Sequence, residues 1–188
     1  MLKLDTKNLA LATMMGALAA ALEAIPGPPF DIRFPLYPNI SWDPSGIPMM
    51  LSVFFTGSIG GVYTCLIGCA VIMLRGNLYG GILKLIAELA TILAFTIFRK
   101  GIVKKSITAT TSRVLVMTVA NYLLLPIFYA PYVTPTSVVA LLVPIAIFNI
   151  TQALINIVPA YVIYNRLGEW WRVRIKGLKP LDSASITT

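Results

Sequence analysis

The chain is written in long apolar runs separated by short polar ones. They extend from Asn8 to Ile25, Ile47 to Phe55, Gly60 to Leu74, Leu78 to Phe98, Val114 to Val133 and Ser137 to Tyr164. Each is long enough, or nearly so, to cross about 30 Å of hydrocarbon. The pattern predicts an all-α integral membrane protein, a single six-transmembrane-helix bundle over residues 1–188. The stretch from Ile47 to Leu74 could instead be one long tilted helix of about 28 residues. Gly57-Ser58-Ile59-Gly60-Gly61 argues for a reversal there, because glycine backbone tolerates a tight turn. Ile47 to Phe55 is short for a helix facing lipid, so it is expected to be sheltered by protein or extended at one end.

The basic residues orient these spans. Lys3, Lys7, Arg99, Lys100, Lys104, Lys105, Arg113, Arg166, Arg172, Arg174, Lys176 and Lys179 fall between spans on one side, and only Arg33 and Arg75 on the other. The positive-inside bias then predicts cytoplasmic N- and C-termini, a cytoplasmic basic tail over residues 165–188, and a long extracellular loop between helices 1 and 2. Five crossings could not place both the Arg99–Arg113 loop and the tail inside. Of the basic residues only Lys84 is expected within a span.

Composition agrees: 57% hydrophobic residues and 12% charged, with a mean hydropathy of +0.83, do not suit a soluble surface. The net charge of +8 sits in short stretches beside membrane ends, where topology and anionic membrane lipid account for it without nucleic acid. The first run is about as long as a full span and lacks a polar gap before a small-residue cleavage site, so helix 1 is expected to remain.

Several chemistries are not expected. The chain has no histidine, and no Cys, Asp and Glu cluster has metal-site spacing. Cys65 and Cys69, one helical turn apart, read as packing residues. No nucleophile motif or nucleotide cradle is present, so neither an enzyme nor an ATPase is expected, and no cofactor.

Polar groups at membrane depth are the functional candidates. On helix 1, Ala12, Gly16, Ala20 and Ala24 recur every fourth residue, with Thr13, Ala17 and Ala21 on the adjacent row. Such a flat stripe serves either internal packing or docking to a separate membrane subunit. Glu23 reaches interfacial water or a substrate group. The loop Pro26 to Gly46 combines Phe30, Phe34, Tyr37 and Trp42 with Asp31, Arg33, Asn39 and Asp43, stiffened by prolines at 26, 28, 29, 35, 38 and 44. It reads as a lid over a binding cavity, or as an interfacial aromatic belt. Lys84 and Glu88, four apart on one helix face, are expected to pair with each other. Asn121 and Tyr122, and then Asn149, Thr151, Gln152 and Asn156, follow on later helices. Asn149, Gln152 and Asn156 share a face, where amides could bind a heteroaromatic ring or bond neighbouring helices.

The order of a small-residue helix 1, a long outer loop, Trp42-Asp43-Pro44-Ser45-Gly46-Ile47-Pro48 and Gly57-Ser58-Ile59-Gly60-Gly61 resembles the substrate-binding S-component of energy-coupling factor vitamin transporters. Met117-Thr118-Val119-Ala120-Asn121-Tyr122, then Pro126 and Tyr129, and Phe148-Asn149 are similar to the riboflavin-binding branch, and the resemblance extends from about Asn8 to Leu167. It implies capture of a vitamin from outside, with riboflavin as the transported ligand. It also implies an energy-coupling transmembrane subunit and two cytoplasmic ATPase subunits as partners, and toppling of the S-component in the membrane. Asn121 and Asn149 would face the ligand, and Ala12, Gly16 and Ala20 would dock to the coupling subunit. At Gln152 the chain departs from riboflavin binders, which often carry lysine there, and Lys84 with Glu88 has no match in that branch. Trp42, Asn39, Tyr122, Gln152, Lys84 and Glu88 complete the candidate substrate-binding set. A membrane assembly protein, whose polar residues only join helices, is the alternative.

Overall fold

The computed structural model describes residues 5–25, 27, 30–98, 101–130 and 134–174, with side chains as far as residue 167 except at 135. Five helices and one two-stranded ribbon follow in the order α1 (Thr6–Ala24), β1 (Ile32–Arg33), β2 (Ser41–Trp42), α2 (Gly46–Leu74), α3 (Leu78–Ile97), α4 (Ile102–Phe128) and α5 (Pro135–Arg174). Local chemistry fixes the ends. The Asp5 carboxylate caps α1 by accepting from Thr6 N at 2.7 Å, and Asn77 caps α3 by accepting from Gly80 N at 2.9 Å. Positive φ of about 80° at Gly101 precedes α4, a conformation costly to residues with a Cβ.

Among the described residues there are five helices where the sequence pattern led to six, because the expected helices 2 and 3 run on as one element broken only at Gly57. Yet α2 is not straight. At Gly57, with φ 80° and ψ −170°, the backbone leaves helical geometry, and beyond it the chain returns along itself. Thr64 Oγ1 donates to Ser52 Oγ at 2.8 Å, a distance two residues twelve apart on a straight helix could not reach. A Cβ on Gly68 would lie 2.6 Å from the Met49 side chain. The two arms span about 16 and 25 Å at 1.5 Å per residue, and the first is enclosed: Pro48 through Phe55 are all buried.

Among the described residues four helices are long and apolar enough to cross a membrane: Gly46–Leu74, Leu78–Ile97, Ile102–Phe128 and Thr136–Leu167. The expected span Asn8 to Ile25 is helical but not among them, since many small residues and the charges of Lys7 and Glu23 lower its hydropathy. The molecule is a helical membrane protein with apolar side chains on its outside. On α4, Val103, Ile107, Leu115, Val119, Leu123 and Ile127 are exposed, while Lys105, Ala109, Arg113, Met117, Asn121 and Leu125 form a buried stripe of one residue every fourth position.

That stripe corrects the expected start of this helix. The charge pattern places Arg113 in a cytoplasmic loop, whereas α4 begins at Ile102, eleven residues before it. The segment's hydroxyl residues hid the helix from a hydropathy reading, but they sit in it at little cost by bonding the previous turn, as Thr108 Oγ1 does to Lys104 O at 2.8 Å. Arg99, Lys100, Lys3 and the end of the basic tail lie outside the described residues, as do the prolines at 26, 28 and 29. Helix α5 carries backbone order into the expected tail as far as Arg174.

Packing follows chain order. α1 lies on α2, α2 on α3 and α5, α3 on α4, and α4 on α5. An aromatic cluster of Phe54, Phe95 and Tyr164, with Phe54 and Tyr164 stacked at 5.1 Å, fills the core on the side away from the ribbon. Cys65 and Cys69 are buried free thiols 4.0 Å apart.

Candidate functional site

At the ribbon end of the bundle, a cavity of about 540 Å³ lies between α3, α4 and α5 beneath the loop that joins α1 to α2. Its volume falls within the range typical of small-molecule sites, roughly 300–1,000 Å³. Leu83 and Ala87 of α3, Met117 and Leu125 of α4, and Ile145 and Phe148 of α5 give it apolar walls. The polar lining comes from Asn39, Asp43, Lys84, Arg113, Asn121, Asn149 and Gln152 among others.

The loop is sewn down at several points. Strands β1 and β2 pair antiparallel, with Ile32 opposite Trp42 and Arg33 opposite Ser41. This turns Phe34 inward, 3% exposed, between Trp42 at 5.0 Å and Phe148 at 5.6 Å between ring centroids. Trp42 Nε1 donates to Thr151 Oγ1 at 2.8 Å. Gln152 grips the main chain of Asp43 with both ends of its amide: Nε2 donates to Asp43 O at 2.7 Å, and Oε1 accepts from Asp43 N at 3.3 Å. Gln152 is thus an attachment point of the loop on α5, next to Thr151.

Asp43 also binds through its side chain. Its carboxylate pairs with Lys84 Nζ at 2.7 Å and accepts from Ser45 N at 3.0 Å. Burial disfavours the charged carboxylate, but the Lys84 charge and the hydrogen bonds from Lys84 and Ser45 outweigh it and hold its carboxyl below the usual range. Lys84 also pairs with Glu23 of α1 and donates to Ser45 Oγ at 2.7 Å. Glu23 is therefore drawn into the site rather than left to interfacial water.

Lys84 and Glu88 do not pair with each other as expected; each has nearer partners of opposite sign from other elements. Glu88 is completely buried and forms an ion pair with Arg113 Nη1 at 2.8 Å. Arg113 Nη1 also donates to Thr91 Oγ1 at 3.2 Å, and its Nε donates to Asn149 Oδ1 at 3.1 Å. Asn156 Nδ2 donates to both Glu88 oxygens, at 3.0 and 3.1 Å, and Asn156 Oδ1 accepts from Gln152 Nε2 at 3.0 Å. One hydrogen-bonded path therefore runs from the Asp43 backbone through Gln152, Asn156, Glu88 and Arg113 to Asn149. Satisfied on this scale, a buried polar network rigidifies the helices that carry it.

Of the residues singled out from sequence, Asn39, Lys84, Asn121, Asn149 and Gln152 are brought together around the cavity. Trp42 secures the loop instead of lining the space, Glu88 stands behind Arg113, and Tyr122 is 47% exposed, off the buried stripe of α4. Ala12 and Gly16 are covered by this chain's own α2: Thr64 Oγ1 donates to Ala12 O at 2.9 Å, and a Cβ on Gly16 would meet Ile67 Cδ1 at 2.8 Å. Ala20 is half-buried, whereas Thr13, Ala17 and Ala21 on the adjacent row are exposed. Sequence reasoning missed Arg113 as a site residue; the fourfold spacing from Lys105 to Leu125 was the available signal.

A solved structure described as the S component of a bacterial ECF transporter has the same fold, with a TM-score of 0.74 at 23% sequence identity, over 88% of this chain and 98% of that one. No protein-family model and no curated protein matches the chain.

Proposed function

We propose that this chain is the substrate-binding subunit of an energy-coupling factor transporter, taking up a vitamin from outside the cell, with riboflavin the leading ligand. The observation that carries the reading is the cavity itself: a space of about 540 Å³ whose apolar walls suit a flat ring and whose polar groups come from three helices and a loop. A membrane assembly protein, whose polar residues only join helices, would fill that space with side chains. The fold shared with an S component supports the same class, as do the motifs around Trp42 and Asn121.

In this reading the chain performs no catalysis. An energy-coupling membrane subunit and two cytoplasmic ATPases supply the work, and both termini face the cytoplasm, with the loop of residues 26–45 outside. The exposed row Thr13, Ala17 and Ala21 is the surface of α1 left for the coupling subunit, since Ala12 and Gly16 are occupied by α2. Native mass spectrometry of gently purified protein should reveal a co-purified small molecule, and riboflavin fluorescence should be quenched on binding. A protein that carries no ligand, and gives no quenching or calorimetric signal with riboflavin or other vitamins, would refute the proposal.

A further inference from the structure

Arg113 has bonding capacity that the fold does not use. Its Nε and Nη1 are committed to Asn149, Glu88 and Thr91. Among the described residues Nη2 has no hydrogen-bond partner, although the residue is 2% exposed and lines the cavity. A guanidinium carries five N–H donors in a rigid plane, so an Nη2 left over presents two donors in fixed, diverging directions. Nη2 is not among the buried unpaired atoms but opens on the cavity, so a ligand that displaces water there has to replace its hydrogen bonds. Two turns along the same stripe, Asn121 spends its Nδ2 on Met117 O at 2.7 Å and keeps Oδ1 for an incoming N–H.

The charge balance says what kind of acceptor belongs there. Glu88 already neutralises Arg113, and Lys84 faces two carboxylates, Glu23 and Asp43. An anionic ligand would leave this enclosed region more negative, at a desolvation cost its contacts would have to overcome. A neutral carbonyl oxygen takes an Nη2 N–H without that cost. We propose that Arg113 is a ligand-contacting, specificity-determining residue that reads a neutral carbonyl edge of a flat heterocycle held between Ala87, Met117 and Phe148. This rests on the cavity being a ligand site, and on a flavin the edge would be the pyrimidinedione.

The test pairs ligand and protein changes. Riboflavin is titrated against 2-thio- and 4-thioriboflavin, in which one carbonyl oxygen is replaced by sulfur, a weaker acceptor. The proteins are wild type, Arg113→Lys, and Arg113→Met combined with Glu88→Gln. The double variant removes both charges together and keeps an acceptor for Asn156, so it remains folded if the single variant does not. Wild type should prefer riboflavin to at least one thio analogue by about tenfold. The variants should bind riboflavin about 10- to 100-fold more weakly and lose that preference, which a purely structural Arg113 would retain. Unchanged riboflavin affinity in a monodisperse variant, or weakened affinity with the preference intact, overturns the assignment. If wild type binds no flavin, the riboflavin reading fails, and Arg113 is judged by native mass spectrometry: a co-purified ligand kept equally by the double variant overturns it, and one lost supports it. An empty wild type in both assays removes this inference together with the binding reading.

Discussion

Asn149 illustrates how little slack the polar side chains of this molecule have. Its Oδ1 accepts from Arg113 Nε, and its Nδ2 donates to Ile145 O at 2.8 Å. Leucine at this position strands a buried guanidinium donor and removes an amide from the cavity lining. Ligand affinity is expected to fall by about 1 to 3 kcal/mol, one to two decades, for Asn149→Leu, read by calorimetry on monodisperse protein. Trp42→Ala should differ in kind. Trp42 touches Phe34 and Thr151 rather than the cavity, so its loss frees the loop and should act mainly on the dissociation rate, measured by stopped-flow dilution of the complex. Unequal legibility is also a matter of residues. Asn121, Asn149 and Gln152 stand out because an amide in an apolar run is conspicuous. Arg113 does not, because it borders a polar segment, and a positive charge there reads as a topology signal until its fourfold register with Met117 and Asn121 is noticed.

Among the elements, α1 separates two roles that sequence alone leaves merged. Small residues at every fourth position mark a surface of close approach, but they do not say what approaches. The structure answers for Ala12 and Gly16, which meet Ile67 and Thr64 of α2. Gly16→Leu should consequently disturb the chain's own packing, lowering thermal stability by about 1 to 3 kcal/mol through overpacking, as followed by scanning fluorimetry. Ala17→Leu lies on the exposed row and should leave stability and ligand binding intact while co-purification with coupling subunits declines. Equal loss of stability in both variants would erase the distinction. The α2 reversal was legible for a plain reason: Gly57 has to adopt φ near 80°, and a run of glycines announces such a position. What was not legible is that a single non-helical residue, Gly57, suffices to turn the chain between the two arms.

For the whole molecule, valine, leucine and isoleucine are exposed outside, while Glu88, Arg113, Asn149 and Asn156 are buried inside together with the apolar core. Hydropathy made the membrane class evident from sequence, because that class depends on averages over whole helices. Pairing partners such as Glu23 with Lys84 depend on how α1 and α3 meet, and no local pattern encodes that. The orientation proposed above can be read directly. A cysteine introduced at Asn39 should react with an impermeant thiol reagent in intact cells, while one at Lys104 should be protected; Cys65 and Cys69 are buried and should stay silent. Reversed labelling would invert the proposed topology.

The grip of Gln152 on Asp43 has a mutational consequence. Because it uses the backbone N–H and C=O at position 43, most substitutions there, Asp43→Ala included, leave both bonds available and remove only the side-chain ties to Lys84 and Ser45. A single change at 152 removes both. The loop can thus vary at position 43 without losing this pair of bonds, while the helix cannot vary at position 152: this clasp is inscribed on one partner only.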